Sequence, residues 1–209
     1  MRSVIREYPK GRLEAFTDGV IAIVITLLVL DLGVKAGSED DLLQAILDEW
    51  PAYLAYFISF FTVGAFWLRH HTITNNIREV DTAFLRLNLL VIFFLSFLPF
   101  PTKLVAEFLE QEDAERVAVV FYGIVLLLVA VSFNLLWRYA SHKRRLLNRD
   151  TSDDEVRELN DALTPSLAGY VIAIAVGIAF PTVAVVLFLV MAIFIALPLG
   201  TFRAAVRQA

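Results

Sequence analysis

Long apolar segments alternate with short polar segments along almost the whole chain. Six of the apolar segments have roughly the 20 residues that an α-helix needs to cross the hydrocarbon core of a bilayer. The pattern therefore predicts an all-α membrane protein in which residues 1–209 form one domain of six transmembrane helices. The predicted spans are Leu13–Leu32, Trp50–Leu68, Thr82–Thr102, Val117–Trp137, Leu163–Phe180 and Pro181–Phe202.

The last two predicted spans form one apolar run that is broken only at Pro181. This run is about twice as long as one bilayer crossing requires. Proline has no backbone N–H to donate and is well tolerated in the first turn of a helix. We therefore predict a tight turn outside the membrane at Phe180, with the final helix beginning at Pro181.

Composition favours a membrane protein and excludes several other classes. Hydrophobic residues make up 58% of the chain and charged residues 19%, whereas soluble domains have about 45–50% apolar and about 25% charged residues. The chain has no cysteine, which excludes disulfides and thiol catalysis. It lacks a P-loop, a zinc-protease motif and a nucleophile elbow, so we expect no enzyme, cofactor, nucleic-acid partner or resident metal.

Basic residues are concentrated on one side of the predicted bundle, and this side is normally the cytoplasmic one. Only Lys35, Lys103 and Arg116 fall on the opposite side. The other 15 of the 18 are Arg2, Arg6, Lys10, Arg12, Arg69, Arg78, Arg86, Arg138, Lys143, Arg144, Arg145, Arg149, Arg157, Arg203 and Arg207. Both termini are therefore predicted to be cytoplasmic.

The first two predicted outer connections are acidic and hold eleven of the 22 aspartates and glutamates. One interpretation is that these acids only keep an extracellular surface soluble. The other is that they concentrate cations at an outer mouth, where Asp31 ends the first span.

The first span carries an apolar stripe along its length. At about 100° per residue, Ile23, Leu27 and Leu30 fall on one side of the helix, together with Phe16 and Gly19. Apolar side chains in such a stripe face lipid, a neighbouring helix or a pore, and helix geometry alone leaves these alternatives open.

Asp18 lies about 140° from Ile23 on this projection, so it does not share the surface of the stripe. A carboxylate at membrane depth needs hydrogen-bond donors, and we predict that Asp18 points into neighbouring helices. Candidate donors at the same depth are Arg12, His70, His71 and Asn88. His70 and His71 are adjacent on a helix and point about 100° apart, so they form a poor metal clamp.

Three segments carry motifs of a known family. Arg12, Phe16, Thr17 and Asp18 are similar to an R-x-x-x-F-S-D signature at the start of a first helix, with threonine in place of serine. The segment LNLLVIFFLSFLPFPT resembles an asparagine-containing third helix, and WLRHH fits the end of a second helix. These motifs resemble the prokaryotic branch of the endolysosomal-type potassium channel family.

The resemblance implies a homotetramer in a bacterial plasma membrane, in which the first helix of each subunit lines a central pore for K⁺ and other monovalent cations. The filter sequence T-V-G-Y-G is absent. The family instead implies a hydrophobic constriction, which would consist of Ile23, Leu27 and Leu30. Arg12, Phe16, Thr17 and Asp18 would form a structural network at the cytoplasmic end of this helix.

The alternative is a secondary transporter for a small cation or a proton-coupled solute. Transporters usually show internal repeats and helices broken by glycine or proline near the bilayer midplane. Here no three-plus-three repeat is visible, and prolines lie near the ends of the predicted spans. They are Pro51, Pro99, Pro101, Pro165, Pro181 and Pro198.

Overall fold

The computed structural model describes residues 9–34 and 41–196, and this part of the chain contains eight α-helices. Their bounds are α1 Gly11–Leu28, α2 Leu42–Asp48, α3 Trp50–Asn75, α4 Thr82–Phe97, α5 Pro99–Phe108, α6 Glu112–Ser141, α7 Asp153–Ala179 and α8 Pro181–Ala196. A short 3-10 turn, Val29–Asp31, continues α1. Within these residues the prediction of an all-helical fold is confirmed.

Among the described residues, five helical segments are long and apolar enough to cross a membrane. They are Gly11–Asp31, Trp50–Asn75, Thr82–Phe108, Glu112–Arg144 and Asp153–Ala179. The sixth predicted span begins as the shorter apolar helix α8, and its predicted end at Phe202 lies outside the described residues. The count of six therefore stays a prediction. The predicted break at Pro181 is confirmed, because α7 ends at Ala179 and α8 begins at Pro181.

Proline also divides the third predicted span, which the sequence pattern treated as one helix. The helix is interrupted at Leu98, between α4 and α5. Pro99 and Pro101 follow at once, and neither has an N–H for the carbonyl four residues earlier. The chain recovers its helical path and continues to Phe108, beyond the predicted end at Thr102.

Helix caps set the start of α4 and extend α7 past its apolar segment. Asp81 accepts a hydrogen bond from the backbone N of Phe84 at 2.9 Å and so starts α4. Ser152 and Glu155 form a reciprocal capping box that starts α7 ten residues before the predicted span. Pro165 therefore lies inside α7 rather than near its start.

The long helix α6 lies at the centre of the bundle and packs against α4, α5, α7 and α8. Phe133 and Trp137 of α6 are among the largest fully buried side chains. Close helix approach is visible at Gly123, where a Cβ atom would lie 2.7 Å from Ile174 and from Phe188. By contrast, α1 packs mainly on α3 and α4, so much of its surface is left uncovered in the subunit.

The segments 76–81 and 142–151 are tied together at one end of the bundle, and we call this contact the loop clamp. Backbone N of Asn148 donates to O of Asn76 at 2.9 Å, and the Asn148 side chain donates to O of Asn75 at 2.7 Å. Buried Asp81 accepts from the Tyr139 hydroxyl at 2.7 Å and pairs with Arg145 at 3.3 Å. The clamp therefore fixes the start of α4 to the end of α6.

Candidate functional site

The predicted stripe on α1 lies on an uncovered surface of the subunit. Ile23 is 59% exposed, Leu27 41% and Leu30 73%, and Phe16 is 56% exposed at the start of the same stripe. The residues of α1 that are buried against its neighbours are Leu13, Thr17, Ile21, Val24 and Leu28. The side chains of the stripe are therefore accessible to lipid or to another chain.

The projection divides α1 into three faces that are about 120° apart. The buried face is centred near Thr17, and the stripe is centred on Ile23. Asp18, Ala22 and Val29 form a third face, which is also exposed. The chain thus covers one face of α1 and leaves the other two largely exposed.

A chain of hydrogen bonds joins α1 to α3 and α4 through the side chains of Thr17, Asn88 and His70, and we call it the polar network. The amide nitrogen of Asn88 donates to the Thr17 hydroxyl at 2.8 Å. His70 Nε2 donates to the Asn88 amide oxygen at 2.9 Å, since an amide oxygen can only accept. All three side chains are buried, so each bond replaces water that these groups have lost.

Asp18 has a hydrogen-bond donor on a neighbouring helix, but this donor is none of the four predicted candidates. Asp18 is exposed, and it accepts a hydrogen bond from Trp67 Nε1 at 3.0 Å. The physical reason is angular: Thr17 occupies the centre of the face against α3 and α4, and Asp18 is turned about 100° away from it. Within the single chain, Thr17 is therefore buried in the helix packing, and Asp18 lies at its edge beside Trp67.

The four candidate donors have other positions. His70 and Asn88 belong to the polar network with Thr17. The His71 ring stacks on Trp67, with ring centroids 6.0 Å apart. Arg12 is exposed, on the side of the helix that carries the stripe. Sequence reasoning missed Trp67, although indole N–H is a strong donor and the WLRHH segment was already singled out.

The bond between Trp67 and Asp18 is expected to hold the start of α1 against α3. Trp67→Phe removes the donor and keeps an aromatic ring beside His71, so the variant should melt at a lower temperature than the unaltered protein in detergent. Asp18→Asn keeps an acceptor oxygen and should have a smaller effect. Equal melting temperatures for Trp67→Phe and the unaltered protein would contradict this role.

At the other end of α1, Asp31 is half-buried beside α5. It lies within electrostatic range of Lys103 and Glu107, which pair with each other at 3.7 Å. The predicted outer mouth therefore mixes both charge signs near Asp31. Within residues 9–34 and 41–196, no group of three or more histidine or acidic side chains is placed to hold a metal ion.

Comparisons with known proteins place this chain in one family of channels. The model of the family described as endosomal/lysosomal potassium channel TMEM175 matches residues 12–99. A Streptomyces collinus protein named as a potassium channel is 37% identical over 171 residues, which cover 81% of this chain and 82% of that protein. A second potassium channel, from Chamaesiphon minutus, is 37% identical over 190 residues, which cover 90% and 93%.

The fold agrees with this similarity. A crystal structure described as a lysosomal potassium-selective channel TMEM175 homolog from Chamaesiphon minutus superposes with a TM-score of 0.82. It is 36% identical in sequence, and the match covers 90% of this chain and 96% of that one. The residues matched by the family model include the α1 stripe and the whole polar network.

Proposed function

The chain belongs to the TMEM175 family, and we propose that it is a potassium-permeable cation channel of a bacterial plasma membrane. The observation that carries this proposal is the uncovered apolar stripe of α1, which lies within the segment that the family model matches. Relatives named as potassium channels align with most of the chain at 37% identity. This family is one of ion channels and not a class of enzyme.

The pore would form in a homotetramer of one-domain, six-span subunits. Four copies of α1 around one axis would bring four stripes together, and the face with Asp18, Ala22 and Val29 would meet the adjacent subunit. The buried face of α1 is already occupied by α3 and α4. One exposed face therefore remains to line the pore and another to contact the adjacent subunit. This use of all three faces supports a central position for α1.

Ile23, Leu27 and Leu30 would then form a hydrophobic neck. Hydrophobic constrictions control conduction by excluding water, so an ion must lose part of its hydration shell to pass. Neither a carbonyl cage nor a carboxylate ring is expected there, so the ease of dehydration would set the preference among K⁺ and other monovalent cations. Ions would cross the neck without a resident metal site.

Reconstitution in liposomes tests the proposed function directly. With potassium on one side and sodium on the other, a channel should give a current whose reversal potential follows the potassium gradient. Protein-free liposomes made from the same lipid are the control. Flux that occurs only when a second ion or solute is supplied would indicate a transporter instead.

The orientation can be tested separately, because the chain contains no cysteine of its own. Gln111 is exposed at the start of α6 and Asp150 is exposed in the loop clamp. With cytoplasmic termini, Gln111→Cys should react with an impermeant thiol reagent added outside intact cells, whereas Asp150→Cys should react only after lysis. The opposite pattern would reject the orientation.

The prediction of orientation also draws on residues outside the part that the structure describes. These are Arg2, Arg6, Lys35, Arg203 and Arg207. The remaining basic residues show the same asymmetry, because Lys103 and Arg116 are the two described ones on the predicted outer side.

A further inference from the structure

A cleft of about 380 Å³ opens on the surface of the subunit where α6 ends beside α4. Its lining consists of Leu87, Leu135, Arg138, Tyr139, His142 and Arg145. The lining of the cleft thus combines apolar and basic side chains. No residue of α1 lines the cleft. Helix α1 contacts α4 on a different face, which carries Asn88.

The outward face of α6 leads directly into this cleft. Exposed apolar side chains recur along it at helical spacing, from Val117 through Ile124 and Leu128 to Leu135. Arg138 and His142 then continue the same face, and both are exposed. A surface that is apolar along a span and basic in the last turns matches the change from acyl chains to phosphate head groups.

The basic groups of the cleft differ in how they are held. Arg145 pairs with buried Asp81 at 3.3 Å and lies 5.8 Å from the centre of the Tyr139 ring. Arg138 forms no ion pair within residues 9–34 and 41–196. Arg145 thus neutralises the charge of Asp81, whereas the charge of Arg138 is available to an anionic ligand.

We propose that this cleft binds an anionic phospholipid, with the phosphate at Arg138 and His142 and an acyl chain along Leu135 and Leu87. Charge complementarity selects an anion, and the adjoining apolar surface selects one that carries a hydrocarbon chain. Basic pockets between transmembrane helices on the cytoplasmic side are suited to such head groups. This site would lie outside the ion path and goes beyond the proposed channel function.

Native mass spectrometry of the purified protein in detergent tests this proposal. The probes are phosphatidylglycerol and phosphatidylcholine with identical acyl chains, and glycerol 3-phosphate serves as a competitor without a chain. Phosphatidylglycerol should be retained in preference to phosphatidylcholine, and glycerol 3-phosphate should not displace it. Arg138→Gln should weaken phosphatidylglycerol binding about fivefold, the size expected for one basic side chain near an anionic lipid.

Arg86→Gln is the matched control, because Arg86 is an exposed arginine of α4 that does not line the cleft. Its binding of phosphatidylglycerol should be unchanged. If Arg138→Gln does not fold, His142→Gln on the same exposed face should give a loss in the same direction. The proposal is overturned by equal retention of the two lipids, by equal losses in Arg138→Gln and Arg86→Gln, or by displacement with glycerol 3-phosphate. A changed subunit number with unchanged lipid binding would also overturn it and would indicate a subunit contact.

Discussion

Replacing Ile23 with asparagine is expected to increase the potassium current and to weaken the preference for potassium over sodium. The four substituted side chains would face one axis in the proposed tetramer, where a polar amide can hydrogen-bond to water that isoleucine excludes. The ion then loses less hydration in crossing the neck. Each ~1.4 kcal/mol removed from the barrier raises the rate about tenfold. Leu30→Ser should act in the same direction, and both effects can be measured as single-channel conductance and reversal potential.

Val29→Asn is the matched control for the neck. Val29 is 46% exposed, close to the 41% of Leu27, but it lies on the face of α1 that carries Asp18. Ile25 is less suitable, because it is partly buried and packs against the core. Unchanged currents after substitution of all three stripe residues, or an equal rise with Val29→Asn, would exclude the stripe from the ion path.

Asn88→Leu is expected to destabilise the subunit, because it breaks both hydrogen bonds of the polar network. Hydrogen bonds between transmembrane helices contribute about 0.6–1.7 kcal/mol each, so the loss of two should lower the free energy of unfolding by roughly 1–3 kcal/mol. The substitution also leaves the Thr17 hydroxyl and His70 Nε2 buried without this partner. Unfolding in mild detergent, followed by circular dichroism, measures the change.

A second substitution, at Thr17, distinguishes the loss of hydrogen bonds in the polar network from a simple packing defect. Adding Thr17→Val to Asn88→Leu removes one of the stranded polar groups, so the double variant should recover part of the lost stability. Ser96→Ala is the control on the same helix, since Ser96 is exposed and bonds to O of Phe93 in its own helix. If Asn88→Leu is as stable as Ser96→Ala, the polar network does not stabilise the fold.

The faces of α1 could be predicted only in part from the sequence. The grouping of Ile23, Leu27 and Leu30 follows from helix geometry alone, and the structure places all three on an uncovered surface. The centre of the buried face depends on where α3 and α4 lie, and this information is not local. The sequence argument therefore did not identify Thr17 as the residue at the centre of the face against α3 and α4.

The helix ends show the same division between local and distant information. Apolar runs mark only the part of a helix that can lie in hydrocarbon. They therefore underestimated the length of α7, whose first turns are polar. The capping box of Ser152 and Glu155 was present in the sequence and could have located this start. The interruption between α4 and α5 was also local, since Pro99 and Pro101 stand two residues apart.

The loop clamp has a consequence for the order in which the subunit assembles during synthesis. Its bond between Asn148 and Asn75 joins residues 73 positions apart. The loop between α3 and α4 therefore cannot form this contact until the ribosome has synthesised the residues that follow α6. At typical rates of translation this delay is roughly 4–15 s. The polar network needs nothing beyond Asn88. We therefore expect newly inserted α1, α3 and α4 to associate through side chains first, and the main-chain contacts of the clamp to fix that arrangement afterwards.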